Sequence, residues 1–342
     1  MHHRHVIRNV FIFLAAAAAG CDTVPVPTGP FSRLIVFGDS LSDTGNILKE
    51  TGLVPVAPYF DGRFSNGENW IDVLARHYGL EARPSYIGGT NYAQGASTTS
   101  AGLTNYSGIP LGPNVRQQVE LYRGTPDGTE LFVVWGGAKD VFDLLDGDCA
   151  ATPARIADNV FAAVTALYAR GGRQFLVPNL PDIGLAPRYR GRSRETLATQ
   201  LSHDVNAALA ARLDTIESFP GITVYRLDIE TLFAATVANP PPGITNVTDA
   251  AWNGSYIGFL GGGELVPNPD TYIFWDFVHP SRAGHALIAQ AAIDKINSEL
   301  VTPTPNGLPT TGGFALPPAV DYWLTWFSLV GQRSNDPLEC RY

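Results

Sequence analysis

A chain of 342 residues with 45% hydrophobic and 16% charged side chains carries enough apolar surface for one large buried core or two small ones. The net charge is −9, and lysine occurs only at positions 49, 139 and 295. An acidic chain without a basic cluster argues against nucleic acid as a partner and against electrostatic attraction to anionic lipid.

From the amino terminus, Arg4 and Arg8 precede a Val10-to-Ala19 apolar run too short to span a bilayer. It ends Ala18-Ala19-Gly20-Cys21, which resembles a bacterial lipoprotein signal in which Cys21 becomes the lipid-bearing first residue. An ordinary cleavable signal is the alternative, and both readings imply export. Residues 1–20 hold two arginines and no acid, so their removal leaves 21 basic against 32 acidic residues, or −11. In an exported chain Cys149 and Cys340 permit a disulfide, and two free thiols fit equally well. No CxxC or His-rich spacing calls for a metal, and no cofactor is expected.

Residues 22–30 (DTVPVPTGP) form a proline-rich spacer, so the lipidated cysteine and linker span 21–32. Apolar runs at Arg33–Phe37, Leu131–Trp135, Gln174–Pro178 and Ile222–Arg226 predict buried parallel strands, with a weaker fifth near Pro84–Ile87. Thr152-Pro153 predicts an N-cap and first turn for a helix carrying Ile156, Val160, Val164 and Leu167, closed by Gly171-Gly172. Further helices are expected at about Arg194–Glu217 and Ser281–Leu300. Strands alternating with helices predict one α/β domain over 33–300 with a mostly parallel sheet. Asn239 to Pro269, with Trp252, Tyr256 and Phe259, either shapes a pocket or is a surface excursion. Residues 301–342 read as a Thr/Pro-rich linker and a short apolar tail.

Working residues of such sheets collect at the carboxyl ends of strands, and Ser40 follows the first strand closely. A serine hydroxyl needs a base, and the base an orienting group. His2, His3 and His5 leave with the signal. Of His77, His203, His279 and His285, only His279 has an aspartate, Asp276, three residues ahead, placed to turn back onto the ring. The G-x-S-x-G pattern is absent around Ser40, which removes the usual α/β-hydrolase reading.

Four blocks in order resemble the GDSL lipases and esterases, the SGNH hydrolases: Val36-Phe37-Gly38-Asp39-Ser40-Leu41-Ser42-Asp43-Thr44-Gly45-Asn46, Asn91-Tyr92-Ala93-Gln94-Gly95-Ala96, Trp135-Gly136-Gly137-Ala138-Lys139-Asp140, and Asp276-Phe277-Val278-His279-Pro280. Pro58 to Gly67 (PYFDGRFSNG) also resembles a segment of the branch holding plant lipase-like enzymes and bacterial lipid acyltransferases. The resemblance implies a flavodoxin-like three-layer α/β/α sandwich with a mostly parallel five-stranded sheet. It implies Ser40 as nucleophile, His279 as base and Asp276 as orienting acid, with an acyl ester or lipid as substrate. The oxyanion hole is implied to draw on the amides of Ser40 and Gly95 and a side chain from the third block. Asp39 reads as structural, holding the turn after the strand.

The third block departs from the family's Gly-x-Asn-Asp, because Lys139 stands where the asparagine donor belongs. Lys139 either reaches the oxyanion on its longer stem, or bends towards Asp140 or Asp276 and leaves the hole a donor short. The readings open at this point are an ester hydrolase at the cell envelope, an acyltransferase using the same acyl-enzyme, and a non-catalytic lipid- or glycan-binding lipoprotein.

Overall fold

The computed structural model describes residues 29–301, apart from 107–108, 149 and 258–261. Expectations for Cys21, the Cys149–Cys340 pair, Phe259 and the tail lie outside the described residues. The elements in chain order are β1 (Leu34–Gly38), α1 (Asn46–Thr51), α2 (Trp70–His77), β2 (Leu103–Tyr106), β3 (Ile109–Pro113), α3 (Val115–Leu121), β4 (Leu131–Trp135), α4 (Ala138–Leu145) and α5 (Pro153–Ala169). Then come β5 (Gln174–Pro178), α6 (Glu195–Glu217), β6 (Thr223–Leu227), α7 (Ile229–Ala238), β7 (Asn246–Ala250), β8 (Tyr272–Phe274) and α8 (Arg282–Val301).

The four strong apolar runs make one parallel sheet in the order β1-β4-β5-β6. Successive side chains leave a strand on opposite faces, and both faces here are apolar. Leu34 and Val36 of β1 pack with Trp70, Ile71 and Leu74 of α2 and with Ile288, Ala292 and Ile296 of α8. Ile35 and Phe37 pack on the other side with Val119 of α3, Val160, Val164 and Leu167 of α5, and Leu209 and Leu213 of α6. That makes the three-layer α/β/α sandwich. A fully buried side chain of this kind contributes about 1.5–3 kcal/mol by leaving water, so the two helix layers hold the sheet from both sides.

The helices start where their caps say. The Thr152 side chain accepts from the Arg155 amide at 3.2 Å, with Pro153 opening α5. In α2, Asn69 accepts from the amides of Ile71 and Asp72, while the Asp72 carboxylate accepts from the Asn69 amide at 3.0 Å.

The expected fifth strand is a correction. Ser85–Ile87 is a 3-10 turn, and the place beside β1 is held by a single bridge between Val36 and Asn91. Pro84 has no N–H to give, and Gly88 (φ 83°) turns the chain, so no ladder extends. With Asn91 in the second strand's position, the order is the flavodoxin-like 2-1-3-4-5, whose ligands sit outside the carboxyl ends near β1.

His285 of α8 is buried, and its Nδ1 has no partner among the described residues. Burial, and then the charge of His279, push the ring down to about 3. The unfolded chain titrates near 6.5, so between those values it binds a proton that the folded chain refuses. The contribution to stability is complete above 6.5 and is lost as pH falls towards 3. The carboxyls of Asp39 and Asp43, raised by burial to about 6, and of Asp140, raised to about 7, work in the opposite direction. A difference isolates the histidine: the unfolding free energy of the parent minus that of His285→Leu is expected to fall by about 1.4 kcal/mol per pH unit from 6 to 4. Parallel pH curves for the two proteins, from denaturant titrations, are the contrary outcome.

Candidate active site

Gly38 ends β1 where a Cβ would stand 2.6 Å from the Trp135 carbonyl, a contact only glycine tolerates. The Gln118 side chain of α3 grips this residue at both ends, accepting from its amide and donating to its carbonyl, each at 2.8 Å. Asp39 then holds the turn as expected, its Oδ1 accepting from the Leu41 amide at 3.0 Å. Asp43 fixes the far side, accepting from the amides of Gly45 (2.7 Å) and Asn46 (2.6 Å). Ser40 sits between these clamps, part-exposed at the carboxyl end of the sheet.

His279 comes from the loop between β8 and α8. That loop is tight: the Trp275 amide donates to the His279 carbonyl at 2.8 Å, and Asp276 Oδ1 accepts from the amides of Val278 (2.9 Å) and His279 (2.8 Å). The turn folds Asp276 under the ring, with Nδ1 at 2.8 Å from Oδ2 and 3.0 Å from Oδ1. Facing a carboxylate, Nδ1 carries the proton, which leaves Nε2 as an acceptor 2.9 Å from Ser40 Oγ. Burial raises the Asp276 carboxyl, but the charge of His279 and the hydrogen bonds from its ring and the two amides outweigh it and hold the group below its ordinary value. The three residues expected together are together. A hydroxyl in line with an oriented imidazole can be deprotonated as it attacks a carbonyl.

Two donors stand differently from expectation. The Gly95 amide is occupied, donating to Asp43 Oδ2 at 2.9 Å, and a Cβ at Gly95 would strike the Phe64 ring at 2.5 Å. Its glycine serves close packing. The next residue, Ala96, holds φ 67° and lines the same cavity as Ser40. The amides of Ser40 and Ala96 have no acceptor among the described residues. Lys139 lines the cavity too, but its ammonium is paired with Asp143, one turn along α4. The i,i+4 spacing puts those side chains on one face. Of the two alternatives left open for Lys139, the turn towards Asp140 or Asp276 does not occur, since Asp140 is buried with the Thr99 amide and hydroxyl, each at 2.9 Å, and Asp276 is enclosed by His279 and Tyr59.

Tyr59 was not singled out by the sequence. Its phenol donates to Asp276 Oδ2 at 2.7 Å across 217 residues of chain. Burial and the adjacent carboxylate push the phenol far above its ordinary range, so it stays a donor. From the same segment Phe64 lies against the His279 ring, centroids 5.0 Å apart. Tyr59→Phe is expected to lower kcat about tenfold at near-parental KM, the size of a hydrogen bond to a charged group. Without the phenol, Asp276 Oδ2 loses one of the two groups that fix it under the ring, and the base loses part of its alignment on Ser40. Lower thermal stability with kcat unchanged would show that Tyr59 only packs.

Ser40 and His279 open onto a cavity of about 470 Å³. Tyr256 and Ile257 line it, so the 239–269 stretch shapes the pocket, while Trp252 is buried with Tyr59 and Trp275.

A family model described as GDSL-like Lipase/Acylhydrolase matches residues 34–292, from the start of β1 well into α8. The chain belongs to the GDSL-like lipase/acylhydrolase family. Among curated proteins, this GDSL chain is 26% identical over 321 residues to a phosphatidylcholine-sterol acyltransferase of Aeromonas hydrophila, covering 79% of this chain and 91% of the relative. It is 28% identical over 326 residues to a GDSL esterase/lipase of Arabidopsis thaliana, covering 78% and 88%. Among solved structures it is similar to a putative GDSL-like lipase from Parabacteroides merdae, 11% identical with a TM-score of 0.47, over 80% of this chain and 99% of that one.

Proposed function

We propose that the chain is an exported serine ester hydrolase that cleaves acyl or lipid esters through an acyl-enzyme on Ser40. The observation that carries this reading is the unbroken line from Asp276 through His279 to Ser40 Oγ at the mouth of the cavity. In the reading, His279 takes the hydroxyl proton as Ser40 attacks the ester carbonyl, and Asp276 stabilises the imidazolium. The amides of Ser40 and Ala96 receive the oxyanion, replacing the Ser40–Gly95 pair expected from sequence. His279 then protonates the departing alcohol, and water releases the acid. Hydrolysis of p-nitrophenyl acetate tests this: the parent should turn it over and Ser40→Ala should not. Equal rates would remove the enzyme reading in favour of the lipid- or glycan-binding one.

A second reading, acyl transfer, has one observation in its favour, the name of the Aeromonas relative. An acyl-enzyme passes its acyl group to water or to an alcohol, and the products formed with a sterol or glycerol acceptor decide between them. Envelope anchoring through Cys21 is proposed on the Arg4-to-Cys21 pattern, tested by the mass of the peptide beginning at Cys21. Among the described residues no helix is long and apolar enough to cross a membrane; under this proposal the lipid on Cys21 supplies the membrane contact.

A further inference from the structure

The cavity at Ser40 is not a simple bowl. Its lining follows the sheet strand by strand. After β1 come Ser40 and Leu41, after β4 Ala138, after β5 Ile183 and Ala186, and after β6 Ile229 and Phe233. Those residues occur in the spatial order of the strands, so the open volume runs along the carboxyl edge of the sheet from Ser40 to α7. Three inter-strand gaps span roughly 14 Å. Protein interiors are close-packed, yet Ala186, Ile229 and Phe233 are buried members of the main core and also bound this open volume. The lining also holds charged side chains that are already matched: Lys139 with Asp143, and Arg188 with Asp146 at 2.9 Å. The strand ends thus contribute a row of apolar side chains, Leu41, Ala138, Ile183, Ala186, Ile229 and Phe233, to a lining that also carries these ion pairs.

From this row we infer that the apolar strand ends bind the acyl chain of the substrate, a medium-length chain of roughly ten carbons in a groove of roughly 14 Å, and that Phe233 at the far end sets its length. This deepens the ester-hydrolase reading and rests on it. The carbonyl stands at Ser40, the chain passes Ile183 and Ala186, and its methyl end meets the Phe233 ring. The polar alcohol is left to the charged side chains, Lys139 and Arg188 among them.

The test is a p-nitrophenyl ester series from acetate through laurate to palmitate, read as ratios of kcat/KM within each protein. Each methylene newly buried is worth roughly fourfold. Phe233→Ala opens the end of the groove and is expected to raise the palmitate-to-laurate ratio about tenfold, with Phe233→Leu intermediate. Ala186→Phe blocks the middle and is expected to lower the laurate-to-acetate ratio at least tenfold. Ratios within twofold of the parent in all three variants would overturn the assignment while leaving the ester reading intact. A Phe233→Ala effect on dodecyl acetate, with the acyl series unmoved, would also overturn it, because the groove would then hold the alcohol. A parent that turns over no ester removes the ester reading and this one together.

Discussion

Asp276→Asn is expected to lower kcat by about 10,000-fold while the protein stays folded. The size follows from what the carboxylate holds. Oδ1 accepts from two backbone amides, and Oδ2 accepts from Tyr59 and faces His279 Nδ1. An asparagine keeps the shape, but its NH₂ cannot accept and must stand where one carboxylate oxygen served two of these four donors. If it faces the ring, the imidazole must accept at Nδ1 and carry its proton on Nε2, towards Ser40. The hydroxyl then meets a donor where it needs a base. Steady-state kinetics at neutral pH with a soluble ester measure the loss, and circular dichroism shows that the fold is kept. A fall of less than tenfold would mean that another group orients His279.

Lys139→Asn runs the other way. The parent's ammonium is held by Asp143, and the amides of Ser40 and Ala96 are left to receive an oxyanion. An asparagine is too short to follow Lys139 to Asp143, and its amide stands at the family's donor position on the first turn of α4. One oxyanion donor is worth on the order of 100-fold in kcat. The variant is therefore expected to raise kcat by up to about 100-fold with KM within about twofold of the parent, because a donor to the oxyanion acts on the transition state rather than on the bound ester. A slower variant would show that Lys139 leaves Asp143 during turnover and donates to the oxyanion itself.

These two residues mark how far the sequence could be read. Asp276 and His279 are three residues apart, so their meeting is a local turn that the D-x-x-H spacing already describes. Ser40 was legible because a strand followed by a glycine has one place to put the next residues, outside the carboxyl end of the sheet. The four strands were legible for a similar reason: each is a short, mostly apolar run between helical stretches, as a strand covered on both faces requires. The fifth was not, since Pro84 and the Gly88-Gly89 pair reduce it to one bridge at Asn91, and a weak run does not reveal that loss.

The oxyanion donors were legible only in part. Gly95 stood out as a glycine, but its amide is spent on Asp43, whose side chain folds back across 52 residues of chain. The strained position is Ala96, and a left-handed φ at an alanine leaves no mark in the sequence. Lys139 offered three carboxylates within four residues or in the site, and burial had already committed two of them. Tyr59 had no local signal, because its meaning depends on the folded distance to Asp276. Its segment did stand out as a block, and the structure gives that block contacts: Tyr59 on the acid and Phe64 on the base.

The central claim is that Ser40 is the attacking atom. Reaction with an alkyl fluorophosphonate, followed by peptide mapping by mass spectrometry, tests it most directly, because the reagent bonds to a serine only where a base activates it. The account predicts a single adduct, on the peptide containing Ser40, that forms in step with loss of ester hydrolysis and is absent from His279→Ala. An adduct on another serine, or full loss of activity with Ser40 unmodified, would contradict it.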